Sequence, residues 1–249
     1  MTNIDARPTI AQWLAAEHAA EIRPVAKDTT DTRAWTATVE AKESFLKFFP
    51  KPLDETRAVM ESAIAQANLH PAIVPLRQTV PLADGALLIY ERVFGENLGS
   101  MDARKRFQFL PLAERLQAAY AIFGAMTAVY EAGFMIVDWY EGNQMYDFER
   151  RRMWLFDWEL CRRGTGFILE MDNNYGSSRL MAPEEFLRGS FLDERTLVFN
   201  LGRYALLTLP ELAEPLAPVL ARATHPSRAA RFATLREWTE TFAARSAAF

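Results

Sequence analysis

The first third of the chain alternates short runs of β-branched, aromatic and other apolar residues with polar turns, a pattern typical of strands. Two helical patterns interrupt these runs. Thr9 and Gln12 are spaced as a capping box that opens a short helix. Asp54 is placed to cap a second helix that extends to about Ala67. The runs that predict strands are 22–25, 34–39, 44–49, 74–78 and 86–93.

The rest of the chain has mostly helical periodicity, beginning after the turn signal Phe94-Gly95. Apolar residues from Leu112 to Tyr130 form one long stripe, which Gly133 ends. A sheet-rich part followed by a helical part favours an α+β fold in two lobes. We expect an N-terminal helical extension over residues 1–20, a small β-rich N-lobe over 21–94 and a mostly helical C-lobe over 95–249.

Composition and charge exclude several classes of protein. The chain has 249 residues, 50% of them hydrophobic, which is enough for a large core and is not the composition of a disordered protein. The net charge of −4 argues against nucleic acid as a partner, and the basic run 150–152 falls where a solvated turn is expected. A single cysteine, Cys161, excludes a disulfide framework. Neither a membrane span nor a signal-peptide pattern is visible, so we expect no membrane partner and a cytoplasmic location.

Several ionic side chains occur in an order that suits phosphoryl transfer from ATP. This reaction needs a cation on the phosphates, an acid that orients the cation, a carboxylate that accepts a hydroxyl proton, and oxygen ligands for magnesium. Lys47 lies in the middle of a predicted strand and Glu61 on the helix that follows. Asp138 and Asn143 are five residues apart, and Asp157 comes later, in the sequence Phe-Asp-Trp-Glu.

A predicted hairpin would bring three of these residues close together. The runs 145–148 and 153–156 read as its two strands, with a turn between them. Asp157 follows the second strand and Asn143 precedes the first, so the hairpin lets the two side chains face each other. One Mg²⁺ ion could then bind to both, with Asp138 close enough to accept the proton of an attacking hydroxyl.

Each candidate also has an ordinary structural interpretation. Lys47 could be a solvated strand lysine, in which case Lys42 or Lys51 takes its place in the site. Because an inward-facing lysine needs a partner, and Glu61 is available, we favour Lys47. Asp138 could cap a turn, since aspartate is common in loops. Asp157 could form a structural salt bridge with an arginine.

At these residues the sequence resembles the protein-kinase superfamily, including its aminoglycoside-phosphotransferase branch. The resemblance extends from about residue 44 to 242. Arg231 matches a late arginine that pairs with the carboxylate of the Ala-Pro-Glu motif, here Glu184. The segments that carry the resemblance are LHPAIV at 69–74, LIYERV at 88–93, GSSRLMAPEEF at 176–186 and DERTLVFNLG at 193–202.

The resemblance implies a two-lobed fold with ATP and Mg²⁺ bound in the cleft between the lobes. It implies that Lys47 contacts the phosphates with Glu61 as its partner, and that Asp138 is the catalytic base. Asn143 and Asp157 would hold magnesium. The hinge that binds adenine through backbone groups would include Glu91 and Val93, and the Glu184–Arg231 pair would be structural.

Four departures from the family pattern bear on activity. The turn at 27–33 has no glycine-rich sequence, so threonine hydroxyls, backbone amides and Lys27 or Arg33 are the groups that could compensate in phosphate binding. Ile136-Val137 stands where His-Arg is usual, which predicts that loop phosphorylation is not the switch. Leu197 replaces an aspartate that anchors the catalytic loop. The metal motif is Asp157-Trp158-Glu159, as in the small-molecule phosphotransferases.

The sequence therefore predicts an ATP-dependent kinase that uses Mg²⁺. Residues 176–185 resemble a segment that receives an extended peptide, so we expect the acceptor to be a Ser/Thr hydroxyl of a protein. A hydroxyl of a small molecule is the alternative that the Asp-Trp-Glu motif supports. A pseudokinase that binds nucleotide or a partner without catalysis is a further alternative, which the missing glycines, Ile136-Val137 and Leu197 motivate.

Overall fold

The computed structural model describes residues 7–16, 19–25, 33–51 and 55–249. The chain divides into two compact units. Unit 1 contains the residues up to Asn68 together with Val74–Val93, and unit 2 contains Leu69–Ile73 together with Phe94–Phe249. The chain thus leaves unit 1 after Asn68, returns to it at Val74 and leaves it again after Val93.

Unit 1 is built on a five-stranded antiparallel sheet with the order β1-β2-β3-β5-β4. The strands overlap the predicted runs. Its elements are α1 (Ile10–Ala15), β1 (Ala19–Val25), β2 (Arg33–Val39), β3 (Lys42–Pro50), α2 (Glu55–Gln66), β4 (Leu76–Leu82) and β5 (Gly85–Glu91).

The short helix α1 begins with the predicted capping box. The Thr9 hydroxyl accepts from the Gln12 backbone at 3.3 Å, and the Gln12 side chain accepts from the Thr9 backbone at 2.8 Å. Ile10 and Trp13 are buried in the same core as Leu46 and other sheet residues. We expected this helix as an extension separate from the N-lobe; it is instead part of the core of unit 1.

Strand β4 extends further than the sequence indicated, to Leu82 instead of 78. It contains Pro81, which has no N–H to donate. The sheet tolerates this proline because β4 is an edge strand, with β5 on one side only. Of the predicted turn at 27–33, residues 27–32 lie outside the described residues and Arg33 begins β2; the predicted helix cap at Asp54 also lies outside them.

Unit 2 is mostly helical, with short strands between the helices. Three small antiparallel sheets are formed, β6-β8-β9, β7-β10 and β11-β12. The helices are α3 (Met101–Gln108), α4 (Leu112–Glu131), α5 (Glu194–Thr208), α6 (Ala217–Ala223) and α7 (Leu235–Ser246). The strands are β6 (Glu96–Asn97), β7 (Phe134–Met135), β8 (Gln144–Asp147), β9 (Arg152–Leu155), β10 (Arg162–Arg163), β11 (Gly166–Ile168) and β12 (Phe191–Asp193).

The long helix α4 is the centre of this unit, and its bounds agree with the predicted apolar stripe. Its Phe123 ring lies 5.7 Å from the Trp238 ring and 5.2 Å from the Phe242 ring, both on α7. The helix ends before Gly133, which has a φ of 85°. A glycine in this left-handed conformation is a common helix stop, because other residues adopt it at a cost.

Residues 69–73 belong to unit 2 because their backbone pairs there. The Ala72 carbonyl accepts from the Leu155 backbone at 2.7 Å, and Ile73 forms a parallel bridge with Leu155. The Arg152 side chain also donates to the Pro71 carbonyl at 2.9 Å.

The prediction of an α+β fold is confirmed by this β-rich N-terminal part and helical C-terminal part. Within the described ranges, no helix combines the length and the apolar character needed to cross a membrane.

Candidate active site

Lys47 in unit 1 forms a buried ion pair with Glu61. Lys47 points inward from β3 and is 2% exposed; its Nζ lies 3.3 Å from Oε2 of Glu61 on α2. Tyr90 on β5 donates its hydroxyl to the other carboxylate oxygen, Oε1, at 2.8 Å. Lys42 and Lys51, the alternative candidates, are exposed. Of the three candidate lysines, Lys47 is therefore the one that is buried and paired with a carboxylate.

Glu91 and Val93, the predicted hinge residues, lie at the end of β5. The Glu91 backbone N–H donates to the Pro75 carbonyl at 3.0 Å, and that of Arg92 donates to the Glu43 carbonyl at 3.3 Å. These bonds fix the strand end. Contact of Glu91 and Val93 with adenine stays a prediction.

Asp138 in unit 2 lies in a loop after β7 and has an uncommon backbone conformation. Its φ is 60°, and Asp157 likewise has a φ of 71°. Aspartate enters this left-handed region more readily than most residues, yet it does so at a cost. The Asn143 side chain holds the loop by donating Nδ2 to the Asp138 carbonyl at 2.7 Å. This bond uses the nitrogen of the amide, so its oxygen, Oδ1, is the atom that could coordinate a cation.

The hairpin of β8 and β9 brings Asp157 beside this loop, as predicted. The two strands pair from Gln144 with Leu155 to Asp147 with Arg152. Beyond the paired residues, the Phe156 N–H donates to the Asn143 carbonyl at 3.2 Å. Because Asp157 is the next residue, it leaves the hairpin next to Asn143.

Helix α5 supports the same loop through Tyr204, which is fully buried. The Tyr204 ring lies 5.2 Å from the Trp139 ring, and its hydroxyl donates to the Gln144 side chain at 3.2 Å. Tyr204 thus contacts the loop on both sides of Asn143, and burial raises its pKa above the usual range.

Three carboxylates lie close enough in unit 2 to affect one another. Burial raises the pKa of Asp138 to about 6, and the negative charges of Asp157 and Glu159 contribute to the increase. Glu159 was not among the predicted site residues, although its place two residues after Asp157 was a usable signal. Such a group of carboxylates, with the Asn143 oxygen, offers the hard oxygen ligands that a divalent cation prefers.

We expect Asp138→Asn to stabilise the protein at neutral pH in the absence of metal. An unfolded aspartate has a pKa of about 3.9, below the folded value of about 6. The folded state therefore holds more protons between about pH 4 and 6, and stability falls as the pH rises through this window. Above pH 6, we expect the free energy of unfolding of Asp138→Asn to exceed that of the wild type by about 1–2 kcal/mol, after allowance for solvent screening of a partly exposed group.

The measurement is the unfolding midpoint of both proteins from pH 3.5 to 8, with the exposed Asp172→Asn as control. The two curves should coincide below about pH 4 and diverge by roughly 2–8 °C above pH 6. Parallel curves over the whole range would show that Asp138 does not carry the raised pKa.

The predicted Glu184–Arg231 ion pair is confirmed. Two nitrogens of Arg231 donate to the two carboxylate oxygens of Glu184 at 2.6 and 2.9 Å, and the arginine side chain is 0% exposed. Burial pushes the pKa of Glu184 upward, but the bonds and charge of Arg231 bring it below its ordinary value.

Arg150 and Arg151 lie in the hairpin turn, as predicted, Arg152 begins β9, and each of the three arginines has a partner. Arg150 pairs with Asp147 at 3.1 Å and Arg151 with Glu114 at 3.5 Å. Arg152 lies with its guanidinium carbon 3.8 Å from the centre of the Trp154 ring. These pairings agree with a turn.

No family model matches this chain, and no curated protein matches it. Solved structures do match. The kinase domain of Mycobacterium tuberculosis PknI is 18% identical with a TM-score of 0.64, covering 93% of this chain and 96% of that chain. A second structure of that domain is 18% identical with a TM-score of 0.64, covering 92% and 96%. The Cydia pomonella granulovirus kinase PK-1 is 16% identical with a TM-score of 0.70, covering 92% and 94%. At these identities the matches show the fold.

Proposed function

We propose that this chain, which has a protein-kinase-like superfamily fold, is an ATP-dependent phosphotransferase that phosphorylates a Ser/Thr hydroxyl of a protein. The observation that carries the proposal is the group formed by Asp138, Asn143 and Asp157. The hairpin and the Asn143 side-chain bond hold these residues in one place in unit 2.

The residues present fit a magnesium ion. The Asn143 amide nitrogen is bound to the Asp138 carbonyl, so its oxygen is the atom offered to a cation. Burial raises the pKa of Asp138, and repulsion from Asp157 and Glu159 adds to the increase; a divalent cation on Asp157 would relieve the repulsion. Asn143 and Asp157 would hold the ion. When bound, magnesium neutralises the charge of the phosphate oxygens.

Lys47 and Asp138 have the other two roles. The ion pair with Glu61 keeps the Lys47 ammonium fixed, so that it can stabilise phosphate charge without reorganising. Asp138 accepts the proton of the attacking hydroxyl, and a pKa of about 6 lets it be ionised at neutral pH while it remains a useful base. Backbone groups of Glu91 and Val93 would contact adenine.

A protein acceptor is supported by exposed apolar side chains around residues 176–185. Tyr175, Phe186 and Leu187 are 48%, 46% and 61% exposed. Exposed apolar groups next to an active site favour contact with another protein chain. A small-molecule hydroxyl is the alternative that the Asp157-Trp158-Glu159 sequence supports.

A pseudokinase is the second candidate, and Leu197 favours it. This leucine is 2% exposed at the position where the family resemblance implies an aspartate. The loop that carries Asp138 is therefore without that carboxylate. The activity assay below distinguishes the two candidates.

We expect Mg-ATP to raise the unfolding midpoint, and ATP with a chelator to do so less. At 100 times the dissociation constant, a ligand stabilises by about 2.7 kcal/mol, or roughly 5–11 °C for a chain of this size. Transfer is then measured by intact mass after incubation with Ser/Thr-containing proteins and with small hydroxyl compounds. A shift without transfer to any acceptor would favour the pseudokinase, and no shift at all would refute nucleotide binding.

A further inference from the structure

Glu185 is a buried carboxylate at the centre of a polar network in unit 2. It is 4% exposed and accepts three hydrogen bonds. Oε1 accepts from the Asn174 side chain at 2.9 Å, while Oε2 accepts from the Ala182 backbone at 2.7 Å and from the Asn200 side chain at 2.6 Å. Neutral N–H groups thus satisfy this carboxylate from three parts of the chain.

The network fixes the segment Asn174–Ala182 at both ends. At the first end, the Asn174 backbone also donates to the Glu185 carbonyl at 2.8 Å. At the other end, Asn200 on α5 donates to the Leu180 carbonyl at 2.9 Å. The segment is therefore held to Glu185 and to α5, which also supports Trp139 through Tyr204.

Gly176, the third residue of this segment, lies directly against the Asp138 loop. A Cβ atom placed on Gly176 would lie 3.3 Å from the Trp139 carbonyl oxygen and 3.7 Å from the Asp138 Cα. Gly176 has a φ of +115°, a conformation that other residues rarely adopt. Glycine thus permits a close backbone approach at this point.

A very small cavity lies beside the Asp138 loop. Asp138, Asn174, Glu185 and Leu197 line a cavity of about 10 Å³, which is room for about one water molecule. Leu197 supplies no polar group there. Since proteins transmit displacement through close-packed contacts, a shift of the segment would move the Asp138 loop.

We propose that the segment Asn174–Ala182 positions Asp138, and that Glu185 is the positioning residue that holds this segment in place. The inference rests on the proposed function, in which Asp138 is the base. Glu185 itself contacts neither substrate nor cofactor, so its effect is carried through Gly176.

The first test compares Gly176→Ala with Gly189→Ala. Gly189 also has a positive φ, +87°, but a Cβ there would meet no atom within 4 Å. Both variants therefore have backbone strain, and only Gly176→Ala presses on the Asp138 loop. We expect Gly176→Ala to lower kcat about 10- to 100-fold, because a misplacement of about 1 Å can cost about 100-fold. The KM for ATP should not change.

The second test compares Glu185→Leu with Glu185→Gln. Leucine accepts no hydrogen bond. Glutamine can still form three hydrogen bonds. Its side-chain oxygen accepts from the Ala182 backbone and the Asn200 side chain. Its amide nitrogen donates to the side-chain oxygen of Asn174, once the Asn174 amide has rotated. This Asn174 oxygen is buried and has no hydrogen-bond partner among the described residues. We expect Glu185→Leu to lose transfer and Glu185→Gln to retain it, with the exposed Glu170→Gln as control.

Amide hydrogen exchange of residues 136–143 separates positioning from simple stability. The proposal requires faster exchange there in Gly176→Ala and Glu185→Leu, but not in Gly189→Ala or Glu185→Gln. It is overturned if only residues 174–182 exchange faster, or if the two alanine variants behave alike. Gly176→Ala decides the question if Glu185→Leu does not fold. If the wild type transfers phosphate to no acceptor, the proposed function fails, and the exchange data still decide this inference.

Discussion

Asp157→Ala is expected to lower phosphoryl transfer by about 1,000-fold or more, with the protein still folded. A carboxylate that binds the metal contributes several kcal/mol of charge stabilisation in the transition state, and each 1.4 kcal/mol is about tenfold in rate. The reaction is measured by ADP formation and by intact mass of the acceptor.

The backbone at Asp157 requires a second variant. Its φ of 71° disfavours alanine, so Asp157→Ala combines loss of the carboxylate with backbone strain. Asn adopts this conformation readily, which makes Asp157→Asn the variant that removes the charge alone. Both should lose transfer, while Asp172→Asn, an exposed aspartate in the same unit, should keep it. Transfer within tenfold of wild type in Asp157→Asn would contradict the metal assignment.

Arg231→Met is expected to give the largest loss of stability. Arg231 donates to Glu184 and to the carbonyls of Arg195, His225 and Pro226. Without it, Glu184 remains as a buried carboxylate that keeps the Thr196 hydroxyl at 2.9 Å and a longer contact with the Arg228 guanidinium at 4.0 Å. Breaking a buried pair in this way costs about 3–5 kcal/mol, or roughly 6–20 °C in the unfolding midpoint for a chain of this length.

The matched control is Arg236→Met, because Arg236 forms a similar pair with Glu131 at the surface. The side chains of that pair are 60% and 41% exposed, and exposed ion pairs contribute little to stability. The pH dependence gives a second check. The pKa of Glu184 is lower in the folded than in the unfolded protein. The ionised Glu184 therefore stabilises the fold above its unfolded pKa of about 4.3. This stabilisation is lost as the pH falls through the folded pKa. If Arg231→Met and Arg236→Met lost equal stability at pH 7, the buried character of the Arg231–Glu184 pair would be contradicted.

Features with a local physical cause could be predicted from the sequence. The capping box at Thr9 needs only two residues at a fixed spacing, and the α4 stripe repeats over 20 residues. The β8–β9 hairpin follows from two apolar runs and a polar turn. The Glu184–Arg231 pair is distant in sequence and was predicted only because the family resemblance implied it.

Features that depend on distant polar contacts could not be predicted. Asn174 and Asn200 look like ordinary loop and helix residues, and only folding brings both to Glu185. The strands β10, β11 and β12 have two or three residues, too few to show an alternating pattern. The left-handed backbone of Asp138 is likewise imposed by its surroundings, because aspartate does not require it.

The discontinuity of unit 1 limits how this protein can be divided for study. A fragment that stops at Val93 would carry residues 69–73, whose backbone partner Leu155 lies in the part removed. Ala72 and Ile73 are each 4% exposed in the whole protein and would become solvated in the fragment. Expression of the N-terminal part alone therefore calls for a short designed linker in place of residues 69–73.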